Sequence, residues 1–124
     1  MIKVMKHRTL LIIVALITCL SAFSQSSYYL DKARSYMRDA EYYINKAEGY
    51  DREAEYHTKK AKEYQREVDY YTRNKQTDKA RTYKRKADDE TDKARQQQRW
   101  AIEAKEKART RLRWAADVMD RAKQ

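Results

Sequence analysis

The chain has 124 residues, no proline, one glycine (Gly49), one cysteine (Cys19) and a formal charge of +10. Without the residues that punctuate turns and sheets, a sandwich, a barrel or an α/β fold is excluded in favour of long uninterrupted helix. Large aliphatic residues are concentrated before residue 24, so residues 25–124 cannot assemble an ordinary globular core.

The N-terminus reads as an export signal over residues 1–24. Lys3, Lys6 and Arg8 form a positive start, and residues 10–20 form an apolar stretch interrupted only by Thr18. Ala22 and Ser24 supply small residues for a cut before Gln25. The apolar stretch is shorter than the roughly 20 residues a membrane-crossing helix needs, which favours cleavage and release. Two other outcomes stay open. An uncleaved signal would anchor the chain, and Leu16-Ile17-Thr18-Cys19 is similar to a bacterial lipobox, which would place a lipid on Cys19. The expected location is the periplasm or cell envelope, reached by secretion.

Residues 25–124 carry the repeat. Ala33, Ala40, Ala47, Ala54 and Ala61 recur every seven residues, and Val68 takes the next place. Three residues after each stands an aromatic: Tyr36, Tyr43, Tyr50, His57, Tyr64 and Tyr71, with Tyr29 one heptad earlier. Spacings of three and four share one helical face, so alanine and tyrosine define a heptad seam. A 14-residue period overlies it in Tyr28-Tyr29, Tyr42-Tyr43, Tyr56-His57 and Tyr70-Tyr71.

Alanine resumes at Ala80, Ala87, Ala94, Ala101, Ala108, Ala115 and Ala122, with Leu112 and Met119 as further apolar seam positions. Val68 and Ala80 are out of heptad phase, and the break falls on Arg73-Asn74-Lys75-Gln76-Thr77-Asp78. Asn74 tolerates a left-handed turn, Thr77 suits a helix cap and Asp78 suits a first turn. The expectation is an all-α fold with a helix over 27–73, a turn at 74–76 and a helix over 77–123. The two helices form a long antiparallel coiled-coil hairpin. Folding back near Lys75 pairs residues whose numbers sum to about 150, which sets Trp114 near Tyr36 and Trp100 near Tyr50. It also brings the aliphatics at 30, 37 and 44 beside those at 112, 118 and 119. A continuous helix with a stutter is the competing reading. Because alanine buries little area, a dimer of hairpins closing into a four-helix bundle is the expected assembly.

No catalytic constellation is present, and no enzyme is expected. After Gln25 there is one histidine, His57, and no cysteine, so zinc and thiol chemistry lack ligands. Asp88, Asp89, Glu90 and Asp92 point at several angles around a helix and read as a solvated face. There is no phosphate-binding loop, and no cofactor or small-molecule substrate is implied.

Charge is unevenly divided. Residues 26–74 hold ten charges of each sign, whereas 75–124 hold 16 basic and 9 acidic residues. Lys105, Lys107, Arg109, Arg111 and Arg113, with Arg95 and Arg99 upstream, form a candidate polyanion-binding face for an anionic envelope polymer or lipid head groups. The export signal disfavours nucleic acid. The phrase Glu103-Ala104-Lys105-Glu106-Lys107-Ala108 resembles the repeats of desiccation-protectant helical proteins. A basic exported hairpin also resembles one arm of the trimeric periplasmic chaperone family, though no sequence here matches that family's β-rich trimerising body. The leading expectation is a structural or scaffolding role through self-association or a partner helix. A polyanion-binding module and a holdase-like chaperone or stress protectant are the alternatives.

Overall fold

A computed structural model describes residues 27–123. The signal segment, the cut before Gln25 and Cys19 lie outside the described residues. Two helices account for the rest: α1, Ser27–Arg73, and α2, Thr77–Ala122. They pack against each other as a helical hairpin. The contacts divide into two compact units, one of residues 27–44 with 105–123 and one of residues 45–104.

The turn ends α1 in a Schellman arrangement, in which the last carbonyls of a helix are satisfied from beyond its end. Gln76 N–H donates to the Tyr71 carbonyl at 2.9 Å and Lys75 N–H donates to the Thr72 carbonyl at 3.2 Å. This geometry needs one left-handed residue, and Lys75 supplies it with φ of 58°. Residue preference alone points to Asn74 for that role. Asn74 instead caps by side chain, its Nδ2 donating to the Tyr70 carbonyl at 3.0 Å. α2 starts at Thr77, but its cap is one residue earlier than residue preference suggests. Ala80 N–H donates to the Gln76 carbonyl at 3.0 Å, so Gln76, not Thr77, is the capping residue. Asp78 lies in the first turn, where a carboxylate offsets the unsatisfied N–H groups.

The interior is built from small side chains. In the first unit Ala33, Met37, Ala115, Val118 and Met119 form a buried cluster, with Tyr29, Leu30 and Tyr36 packed against it. Ala40 and Ala108 are buried in the same unit. In the second unit the buried residues are Ala47, Ala54, Ala87, Ala94, Ala101 and Ala104, alanine without exception. No large side chain among the described residues is fully buried. Each alanine removes little more than a methyl group from water, about 0.8 kcal/mol at the usual scale. The second unit therefore depends on backbone proximity and on the larger groups at the rim of its seam.

This fold makes two outcomes testable. Replacing Lys75 with glycine removes the steric cost of a left-handed Cβ, roughly 1 kcal/mol. Thermal unfolding of Lys75→Gly should move up by a few degrees, and an unchanged or lowered midpoint would rule out the left-handed cap. Ala47 and Ala101 are each only 2% exposed. Ala47→Leu with Ala101→Leu keeps helical propensity but overpacks the seam, at about 1–3 kcal/mol per site. The melting midpoint should fall while helicity in the cold is retained.

Candidate functional site

The arrangement with functional content is the row of α1 aromatics and what α2 places over them. Counting three residues on from the heptad alanines Ala80 to Ala115 of α2 gives Tyr83, Glu90, Gln97, Ala104, Arg111 and Val118, all half-buried or buried. Counting one residue back gives Lys79, Lys86, Lys93, Trp100, Lys107, Trp114 and Arg121, all exposed. The first row completes the interior and the second roofs the tyrosines.

In the first unit Tyr36 meets Trp114 edge-on, with ring centroids 5.5 Å apart. Lys107 Nζ lies 5.7 Å from the Tyr43 ring. Arg111 is clamped between three groups. Its guanidinium is 4.4 Å from the Trp114 ring and 5.9 Å from Tyr43, and its Nε is 3.7 Å from Asp39 Oδ2. That distance is an ion pair and not a hydrogen bond, which leaves the buried Nε with no hydrogen-bond partner. Tyr43 and Leu112 are half-buried.

In the second unit Tyr50 meets Trp100 at 5.6 Å, and Lys86 reaches over Tyr64 and Tyr83 at 5.8 and 5.0 Å. Next to the turn, Lys79 sits 5.4 Å from Tyr71, and Tyr71 stacks on Tyr83 at 5.4 Å with planes 15° apart. The Tyr71 hydroxyl is pushed above the ordinary phenol range, first by desolvation and then by the charge of Tyr83 and Glu67. Ala61, Tyr64, Val68 and Ala80 are only half-buried.

The rung at His57 is different. The ring stands where the repeat has tyrosine, and its Nδ1 is 2.5 Å from Glu90 Oε2. Glu53 Oε2 lies 3.8 Å from Nε2 on the other side. Lys93, the roof residue at this level, contacts Glu90 Oε1 at 3.6 Å and Asp89 at 3.1 Å. Its ammonium is held above its usual range, first through the hydrogen bond to Asp89. A five-group polar tie thus stands where the levels on either side have Tyr50 with Trp100 and Tyr64 with Lys86. Heptad position alone makes His57 an ordinary seam residue and Glu90 part of a polar face. The signal for the tie is the coincidence of the single aromatic exception with a carboxylate in the three-on position of α2.

Of the basic residues singled out from sequence, Arg95, Arg99, Lys107, Arg109 and Arg113 are exposed, whereas Lys105 and Arg111 are half-buried. Arg111 is occupied with Asp39, Tyr43 and Trp114 and is a packing residue. The densest basic stretch is also elsewhere. Residues 79–86 hold Lys79, Arg81, Lys84, Arg85 and Lys86 with no acid, whereas 105–113 hold five bases in nine residues with Glu106 among them. A charge count in short windows along α2 identifies it.

Among the described residues no group of three His, Cys, Asp or Glu side chains is placed to hold a metal ion. No described helix is long and apolar enough to cross a membrane. No protein-family model, curated protein or solved structure matches the chain.

The polar tie can be tested by a double-mutant cycle. His57→Ala and Glu90→Ala should each lower stability, and their combination should cost less than the sum by about 1 kcal/mol. Strict additivity in chemical denaturation would show that the pair is not coupled.

Proposed function

We propose that the chain is a non-enzymatic coiled-coil protein that works by self-association, spacing or scaffolding other components of the cell envelope. The observation that carries this reading is a row of exposed tyrosines on α1, of which Tyr28 and Tyr56 each carry a lysine of the same helix over the ring, Lys32 at 5.7 Å and Lys60 at 5.9 Å. Tyr28, Tyr42, Tyr56 and Tyr70 recur every 14 residues on α1 and are 63%, 54%, 54% and 54% exposed. Fourteen residues is close to four helical turns, so such a period keeps the rings on one face of the helix. Each ring is braced by its neighbour, with centroid distances of 5.4, 5.3, 5.2 and 5.1 Å. Braced, half-exposed tyrosines carry large contact area at little entropic cost and are typical anchors of protein interfaces.

The second unit adds a receptive surface. A groove of about 410 Å³ opens along it, floored by Ala61, Ala87 and Ala94 and edged by Thr58, Thr91, Lys62 and Arg95. A floor of alanines gives a second helix room for close approach, which supports a bundle built from two hairpins. The signal segment supports an envelope location, and the surplus of 16 bases over 9 acids in residues 75–124 supports anionic components as neighbours.

Sedimentation equilibrium tests this directly. The wild-type chain should have the mass of a dimer, and Tyr42→Ser with Tyr56→Ser should shift it to monomer with the helical content retained. A wild-type chain that stays monomeric at its highest soluble concentration would refute self-association.

A further inference from the structure

We propose that the turn end of the second unit is a docking surface for anionic phospholipid bilayers. Residues 73–86 carry seven bases and one acid, Asp78. All seven bases are exposed. They belong to one unit: Arg73 and Lys75 lie at the end of α1 and in the turn, and the other five lie within residues 79–86 of α2, about 12 Å of helix, so the footprint is short. Soluble anionic polymers are tracked by cations strung out along a face, whereas a bilayer offers many phosphates in one plane. A compact cationic turn matches the second geometry.

The aromatic content of the same end points the same way. Tyr70, 54% exposed, adjoins Tyr71, which stacks on Tyr83. Tyrosine has an apolar body and a polar tip, and it is enriched where proteins meet the head-group layer. Lys79 and Lys86 lie over these rings at 5.4 and 5.0 Å. A ring face holds an ammonium in place without neutralising it, so both lysines keep their charge for phosphate. Lys84 is the exception, with Asp88 at 3.5 Å on an exposed pair that contributes little. Bordering carboxylates on Asp69, Asp88 and Asp89 leave the patch bounded, and this gives it a definite face.

The test is partitioning of the full chain onto vesicles. The quantity read is the ratio of binding to vesicles containing phosphatidylglycerol over binding to pure phosphatidylcholine. The positive start at Lys3, Lys6 and Arg8 and the apolar residues 10–20 are the same in every variant, so their contribution cancels when the ratios of the variants are compared with that of the wild type. The wild-type ratio should be well above one at low salt and fall steeply as salt is added. Lys75→Gln, Arg81→Gln, Lys84→Gln and Arg85→Gln together should lower it by roughly a hundredfold. A matched variant, Arg95→Gln, Arg99→Gln, Arg109→Gln and Arg113→Gln, removes the same charge and should lower it far less. Charge-conserving Lys75→Arg with Lys84→Arg should keep the ratio, and circular dichroism should give the same helicity for all. Equal losses in the two neutralised variants would reduce the effect to net charge and overturn the proposal. So would a wild-type ratio near one, or turn-dependent binding to soluble polyphosphate without binding to anionic vesicles.

Discussion

Two backbones can lie close together along a whole seam only if the residues between them are small, and alanine is what this chain places there. That choice determines the rest. Alanine is the best helix former, so the helices need no help from proline caps or glycine stops along their length. It also contributes little burial, so stability must be gathered at the rim. The rim is where α1 carries its tyrosines and α2 carries tryptophan, lysine or arginine in matching heptad places. Met37, Val118 and Met119 supply conventional apolar packing in the first unit alone. In the second, the interior is methyl groups and the rim carries the remainder.

That division explains the mixture of chemistry across the rungs. A tyrosine at the edge of an alanine seam has one face on the partner helix and its hydroxyl in water. It can be covered by another ring, as in Tyr36 with Trp114 and Tyr50 with Trp100. It can equally be covered by an ammonium, as in Tyr43 with Lys107, Tyr64 with Lys86 and Tyr71 with Lys79. Both contacts are worth of the order of 1 kcal/mol and both leave polar atoms solvated. In each of these pairs the residue numbers sum to 150. One register, with two kinds of cover, accounts for these five rungs, and the one at His57 differs.

Much of this is legible in the sequence. The absence of proline, the heptads of alanine and the phase break between Val68 and Ala80 suffice for two helices folded on each other. A fold-back near Lys75 suffices for the register, which sets Trp114 near Tyr36 and Trp100 near Tyr50. What escapes a sequence reading is of two kinds. The turn can be placed, but residue preference assigns its chemistry to the wrong neighbours, because Asn74 and Thr77 are the better statistical candidates. Lys75 and Gln76 hold those places because the hydrogen bonds from Lys75 N–H and Gln76 N–H to Thr72 and Tyr71 fix where α1 stops. The inward-facing row of α2 is hidden because its members share no chemistry. Tyr83, Glu90, Gln97, Ala104, Arg111 and Val118 have a common spacing, but each is decided by its local partner. Arg111 resembles part of a ligand-binding face for the same reason: its sequence neighbours are basic, and only the fold brings Asp39 and the rings of Tyr43 and Trp114 to it.

The His57 rung shows what the repeat tolerates. Lys93 occupies the roof position at this level, and a tyrosine opposite would have accepted its ammonium as Tyr64 accepts that of Lys86. Histidine is smaller and presents two nitrogens at its edge, so the cation loses its ring face. Glu90 restores the connection by hydrogen-bonding to the imidazole with one oxygen and lying within ion-pair distance of the ammonium with the other. The carboxylate side chain is only 14% exposed, and removing either partner would leave it half-buried with less compensation than it needs. The one position that breaks the aromatic pattern is therefore held by a carboxylate from the inward row of α2, which in turn is held by the lysine of the roof row. The three residues form one arrangement, and the role of Glu90 is not intelligible from its own heptad alone.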